Sequence, residues 1–334
     1  MDPILYRAAS DARLDASQRQ QLYRLAMAPA EPALLARRLN QGLLLVAALL
    51  LAGGLIFWIA ANWQEQTRMF KLGLIEAALA LSVMAAAALP RARVPALLAA
   101  NLVLGGLLAF VGQTYQTGAD AWQLFAAWAA LSLVWTGLAR SDVLWTLWIG
   151  ICAAGLLSWE GRLGGWFDML QLPSSAPAQG LRMGLWLALA VVPGLVASLA
   201  GLRLAQGLGR GSHRLALGLA LAAWCIDGTT GLFDAPSGAG LFAVACALVA
   251  AVWLLSRNAG RWQDFASLCL ATVAANALLM AAALRVATGS DLVGLLLIGL
   301  IVGVGGLGGS VAGLLSVQRR MAAEAMAANK EQVA

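Results

Sequence analysis

Long apolar runs alternate with short polar links along this chain, about ten times over its 334 residues. The runs lie near 42–61, 70–89, 95–113, 121–138, 142–159, 182–202, 213–232, 238–256, 264–284 and 290–316. A hydrocarbon core about 30 Å thick is crossed by about 20 helical residues, so each run is long enough to span it. Inside lipid the backbone polar groups must be satisfied within the segment, which makes each run a helix. The pattern predicts an all-α, polytopic membrane protein of about ten transmembrane helices. The last run exceeds one crossing and predicts a tilted helix or one that continues into the cytoplasm.

Residues 1–40 carry no such run. Asp15 and Ser17 read as caps of a short helix that ends before Pro29, with Leu14, Leu22, Leu25 and Ala26 on one side and Arg13, Arg19 and Arg24 set to meet headgroups. An interfacial helix and a solvated cytoplasmic segment both fit this stretch. With some 40 mixed residues ahead of the first run, no signal peptide is expected.

Charge gives the predicted topology. With ten spans, only Arg68, Lys71, Arg162, Arg182 and Arg285 of the 22 lysines and arginines fall on one side of the membrane; the rest, and both termini, fall on the other. Short basic links stay cytoplasmic, so the expectation is both termini in the cytoplasm of a bacterial inner membrane. The longest external link, 160–181, divides a first five-helix half (41–159) from a second (182–317), followed by a tail at 318–334. Two five-helix halves would be inverted relative to each other, a transporter plan, although no residue-level repeat joins them.

Composition agrees, with 61% hydrophobic and 11% charged residues and a mean hydropathy of +0.79. The net charge of +6 does not point to nucleic acid, because the charges sit in links between spans. Cys152, Cys225, Cys246 and Cys269 lie inside apolar runs without CxxC spacing and read as small buried side chains. The one histidine, His213, sits beside Arg210 and Arg214 and reads as an interface residue. No HExxH, GxSxG or P-loop is present, so neither an enzyme nor a cofactor or metal is expected.

Ionisable residues inside spans are costly and mark candidate sites. Glu76 and Asp227 both fall roughly 9 Å below the outer boundary by helical rise. The outer ends nearby are polar: Asn62 closes the first span, and Gln113, Tyr115, Gln116 and Asp120 follow the third. Asp227-Gly228-Thr229-Thr230-Gly231 is a stretch where glycines and threonines could unwind the helix over a wet cavity. Read together, Glu76, Asp227, Gln113, Tyr115, Gln116, Asn62 and Asp120 form a ligand-binding pocket open to the outside; read separately, they are loop residues and interhelical hydrogen bonds. Asn101 and Asn276 read as interhelical glue.

Gly305, Gly309 and Gly313 recur every four residues in the last run and form a flat stripe for helix packing. Gly303, Gly305 and Gly308 also satisfy GxGxxG, but no strand precedes them, so the nucleotide motif is excluded. Trp58, Trp63, Trp122, Trp159 and Trp166 fall near the outer boundary as an aromatic belt.

Phe57 to Trp63, then Lys71-Leu72, then Gly112-Gln113-Thr114-Tyr115-Gln116-Thr117-Gly118-Ala119-Asp120, then Leu144-Trp145 resemble the bacterial membrane-protein family called domain of unknown function 2157. The resemblance covers roughly residues 10–155. It implies a multi-helix inner-membrane protein and supplies no activity. It also implies that Asn62, Trp63, Lys71, Gln113, Tyr115 and Asp120 belong to one external feature; Asp227 lies outside it.

Two functions follow as expectations. The first is a transporter-like protein that binds a small solute or lipid headgroup, with Glu76 or Asp227 taking a proton or cation. The second is a non-transporting scaffold or partner subunit that docks another membrane protein through its glycine-striped last helix. Membrane lipids are partners in either case.

Overall fold

The structure, a computed structural model, describes residues 15, 17–18, 20–21, 32–62, 64–115, 118–161, 176–199, 207–234, 238–257, 264–288 and 291–333. Ten long α-helices run through them: α1 Pro32–Ala61, α2 Arg68–Ala88, α3 Arg93–Tyr115, α4 Ala121–Ala139, α5 Asp142–Trp159, α6 Ala176–Leu199, α7 Arg210–Asp234, α8 Ala239–Arg257, α9 Phe265–Ala287 and α10 Leu292–Val333. A 3₁₀ turn, Pro90–Ala92, precedes α3. Among the described residues there is no strand. Among the described residues nine helices are long and apolar enough to cross a membrane, and α6 contributes a shorter apolar stretch, Gln179–Leu195. The protein is an all-helical membrane protein, and its helices lie on the predicted runs.

Most of the first 31 residues fall outside the described set. At Asp15 the backbone N–H donates to Gln18 Oε1 at 3.2 Å, the side chain that reaches back in a capping box. Ser17 Oγ donates to Asp15 Oδ2 at 2.9 Å.

The chain forms two compact units, Met1–Thr67 with Ala77–Val103, and Arg68–Glu76 with Leu104–Ala334. In the first, Ala48, Ala52, Ile59, Ala86, Leu97, Leu98, Ala100 and Val103 are buried, as is Asn101.

The second unit is built around α7, which packs on α5, α6, α8 and α9; α4 pairs with α5, and α10 with α9. Its core combines Trp186, Trp224, Ile149, Leu217, Leu221, Val249 and Leu278 with alanines that let the helices approach. Arg140 ends α4 in the left-handed region (φ 48°), which reverses the chain within two residues into α5. Gly207 (φ +101°) lies against the Arg140 carbonyl; a Cβ there would sit 2.1 Å from the Arg140 carbonyl carbon, so this approach requires glycine.

Two expectations are corrected here. First, α7 is helical from Arg210 to Asp234 and does not unwind at 228–231. The glycines there are contact points: a Cβ on Gly228 would come within 2.7 Å of Ala245 Cβ, and one on Gly231 within 3.2 Å of the Gly238 carbonyl. Thr230 Oγ1 bonds back to the Ile226 carbonyl at 2.7 Å, inside the helix. Second, α6 begins at Ala176 rather than 182. Pro177 falls in its first turn, where a missing N–H costs nothing. That earlier start takes Arg182 into the helix, where it is buried, and Lys71 is likewise a buried residue of α2. Neither is the loop charge that the topology count assumed.

Candidate functional site

Arg182 and Trp186 stand four residues apart on α6 and so share a face, and Trp224 and Asp227 do the same three apart on α7. Because the two helices are packed together, these faces meet. Arg182 Nε donates to Asp227 Oδ2 at 2.9 Å, and its Nη2 donates to Asp227 Oδ1. The fork-on-carboxylate geometry is the strongest side-chain pairing open to an arginine. Trp224 Nε1 donates to the Met183 carbonyl at 3.2 Å and ties α7 to α6 a turn away.

A second carboxylate comes from α5. Glu160 caps that helix, its backbone N–H donating to the Leu156 carbonyl at 2.9 Å and that of Gly161 to the Ser158 carbonyl at 3.0 Å. Its side chain turns inward: Trp186 Nε1 donates to Oε1 at 2.8 Å, and Arg182 Nε lies 4.0 Å from the same oxygen. The three charged side chains are 0–1% exposed. Asp227 is seven residues from the end of α7 and Arg182 six from the start of α6, so each lies roughly 10 Å along its helix by axial rise. One guanidinium against two ionised carboxylates leaves a formal charge of −1, which one proton or one monovalent cation would neutralise.

At the opposite ends of these helices the charges do ordinary joining. Asp142 accepts from the backbone N–H groups of Gly209, Gly211 and Ser212 at 2.9–3.0 Å, an anion supplied by the chain itself at the start of α7. Arg214 forks onto Asp264, with Nε–Oδ2 at 3.0 Å and Nη2–Oδ1 at 2.6 Å. Asp264 also caps α9 by accepting from Ser267 N and Oγ at 3.0 and 2.7 Å. Arg214, aided by these caps and opposed by partial burial, holds the Asp264 carboxyl well below the usual carboxylate range.

The other predicted ligand residues lie elsewhere. Glu76, Gln113, Tyr115 and Asp120 are exposed, whereas the Arg182–Asp227 pair is sealed. Asn62 belongs to the first unit, and its Nδ2 donates to the Trp58 carbonyl at 2.8 Å, closing the end of α1. Gln116 lies outside the described residues. Of the residues expected to form a pocket, only Asp227 stands in the buried cluster. Sequence reasoning missed Glu160 and Arg182 because they were counted with the external link, and Trp186 because it falls inside an apolar run, where a tryptophan reads as packing. A readable signal existed: α6 starts where α7 ends, so an arginine near the start of one and an aspartate near the end of the other are level.

In the last helix, Gly305, Gly309 and Gly313 have open space where a Cβ would go. The contact with α9 is made one face over. A Cβ on Gly303 would meet Met280 Cε at 3.1 Å and one on Gly306 would meet Asn276 Oδ1 at 2.8 Å. Asn276 Nδ2 donates across the helices to Ser310 Oγ at 2.7 Å.

Grooves open among the described residues of the second unit. One of about 480 Å³ runs between α4, α5 and α6 and is walled by Trp122, Phe125, Trp148, Trp159 and Pro193; Trp148 Nε1 is taken by the Ala129 carbonyl at 2.9 Å. One of about 350 Å³ lies between α9 and α10, with Thr272, Asn276 and Ser310 in its wall. One of about 540 Å³ lies between α8 and α9. Among the described residues no group of three histidines, cysteines or carboxylates is arranged to hold a metal.

Residues 9–145 match the family model described as Predicted membrane protein (DUF2157). No curated protein and no solved structure matches the chain. The match covers the helices up to the start of α5, so Glu160, Arg182 and Asp227 all lie beyond it.

Proposed function

We propose that this membrane protein is a transporter-like, non-enzymatic protein of the bacterial inner membrane, with both termini cytoplasmic, and that its working element is the Glu160–Arg182–Asp227 cluster. One observation carries the reading: three charged side chains, none more than 1% exposed, gather among apolar helices of a membrane protein. Desolvating such charges is costly, and apolar side chains of similar volume would hold the helices at least as well. Ionisable groups kept inside a membrane are functional sites by default. The negative balance of the cluster suits a proton or small cation as the coupled species, and breaking the Arg182–Asp227 fork would free a carboxylate for it. This moves the site from the exposed Glu76 to α5–α7.

The test is flux. Vesicles containing the protein and a trapped pH dye, placed under an imposed membrane potential, should dissipate a pH gradient faster than protein-free vesicles. The triple variant Glu160→Gln/Arg182→Met/Asp227→Leu should insert and fold yet behave like empty vesicles. A wild-type protein indistinguishable from empty vesicles overturns the reading.

A second reading has its own observation. The stripe Gly305, Gly309, Gly313 lines the groove between α9 and α10 and has open space where side chains would go, which suits a scaffold or partner subunit that docks through α10. Gly309→Leu would then dissociate a complex without impairing flux or folding.

A further inference from the structure

We propose that the groove between α8 and α9 is a binding site for one anionic phospholipid, its acyl chain between the helices and its phosphate on Arg257. The site is separate from the buried cluster and does not depend on it.

The wall is apolar throughout, with Phe242, Cys246, Ala250, Trp253, Leu278 and Leu279 facing the space. On α8 it extends from Phe242 to Leu254, about 18 Å by helical rise, slightly more than half of a hydrocarbon core about 30 Å thick. It therefore matches one leaflet. An apolar wall of that length suits a single extended hydrocarbon chain of one leaflet.

A cation marks one end. Arg257 is the last residue of α8, one turn past Trp253, and is exposed; its guanidinium carbon sits 5.0 Å from the centre of the Trp253 ring. Stacking on the indole holds the guanidinium beside Trp253, a wall residue at the Arg257 end of the groove. A planar fork of donors at the headgroup end of an acyl-chain groove is complementary to a lipid phosphate. The α4–α5–α6 groove is lined by Trp159, with the acidic Glu160 next in the chain. The α9–α10 groove shares Trp253 but carries Thr272, Asn276 and Ser310 in its wall, which suit an acyl chain less than the apolar wall between α8 and α9.

The experiment is native mass spectrometry of the full chain stripped of lipid, titrated with phosphatidylglycerol or phosphatidylcholine of identical chains. Wild type should retain phosphatidylglycerol at about fivefold lower concentration, the effect of one basic residue at a membrane surface. Arg257→Gln should bring both lipids to the same affinity. Ala250→Phe, which fills the groove from an exposed position, should weaken both by a similar factor. Equal retention by the wild type overturns the proposal, as does a preference that survives Arg257→Gln. A protein dimer lost in Ala250→Phe without any lipid adduct overturns it in favour of a second copy.

Discussion

Two helix contacts in the second unit are made by opposite means. Where α6 meets α7, an arginine forks onto an aspartate with a glutamate and two tryptophans around it, all closed from solvent. Where α9 meets α10, glycines bring the helices together and one amide–hydroxyl bond joins them. The second is the common membrane solution, in which small residues allow close approach and a weak polar contact sets the register. The first pays desolvation for three ions. A bundle able to pack with glycine at one contact did not need charge for adhesion at the other, and this contrast argues that the charges do work beyond holding helices together.

Breaking the charged contact should have the largest effect. Asp227→Ala leaves Arg182 buried without its bidentate carboxylate and should cost about 3–5 kcal/mol, measured as unfolding in detergent. Removing all three charges in Glu160→Gln/Arg182→Met/Asp227→Leu should recover most of that loss. If the triple variant is as unstable as the single one, the cluster is a structural requirement and the contrast with α9–α10 collapses.

The glycine contacts come next. Gly228→Leu drives side-chain atoms into Ala245, where even a Cβ has only 2.7 Å, and should cost about 1–3 kcal/mol. Gly306→Leu meets Asn276 in the same way and should loosen α10 by a comparable amount. Gly309→Leu, with open space around it, should stay within about 0.5 kcal/mol. Equal losses at 306 and 309 would show that the groove beside the stripe has no room for a side chain.

These glycines also show what was legible in the sequence. The spacing of Gly305, Gly309 and Gly313 was plain, but spacing defines a face and not what lies opposite it; the face used by α9 carries Gly303, Gly306 and Ser310. The glycines at 228 and 231 looked like breakers because a single sequence hides the neighbouring helix that makes glycine necessary. The helices themselves were readable to within a few residues at most ends, since an apolar run of that length in lipid has one backbone solution. Arg182 was misassigned because it lies six residues past the start of a helix whose first turn contains Pro177 and looks like loop. Its partner is 45 residues away, a separation that no local pattern reports.

A smaller effect tests the polar half of the α9–α10 contact. Asn276→Leu removes the bond to Ser310 and should cost about 0.6 kcal/mol, and no more than about 1.7. A loss as large as that of Asp227→Ala would make the two contacts equivalent and remove the argument from their difference.

The smallest expected effect lies at the far ends of the helices, where Arg214 and Asp264 form the same fork in partial solvent. Asp264→Asn keeps a capping side chain on α9, since asparagine caps as well as aspartate, and so isolates the charge. The folded carboxyl is held below its unfolded value of about 3.9. A carboxyl depressed by folding stabilises at every pH above the unfolded value and loses that contribution as pH falls toward the folded one. The stability gap between wild type and Asp264→Asn should therefore be constant above the histidine range, from pH 8 to about pH 7, and narrow below about pH 4. It should also shrink with added salt, because the Arg214 side chain is 37% exposed. The buried Arg182–Asp227 fork is screened far less, so salt should leave the gap between wild type and Asp227→Ala nearly unchanged. If salt narrows both gaps alike, solvent reaches the inner cluster, and the difference between a surface joint and a sealed intramembrane site disappears.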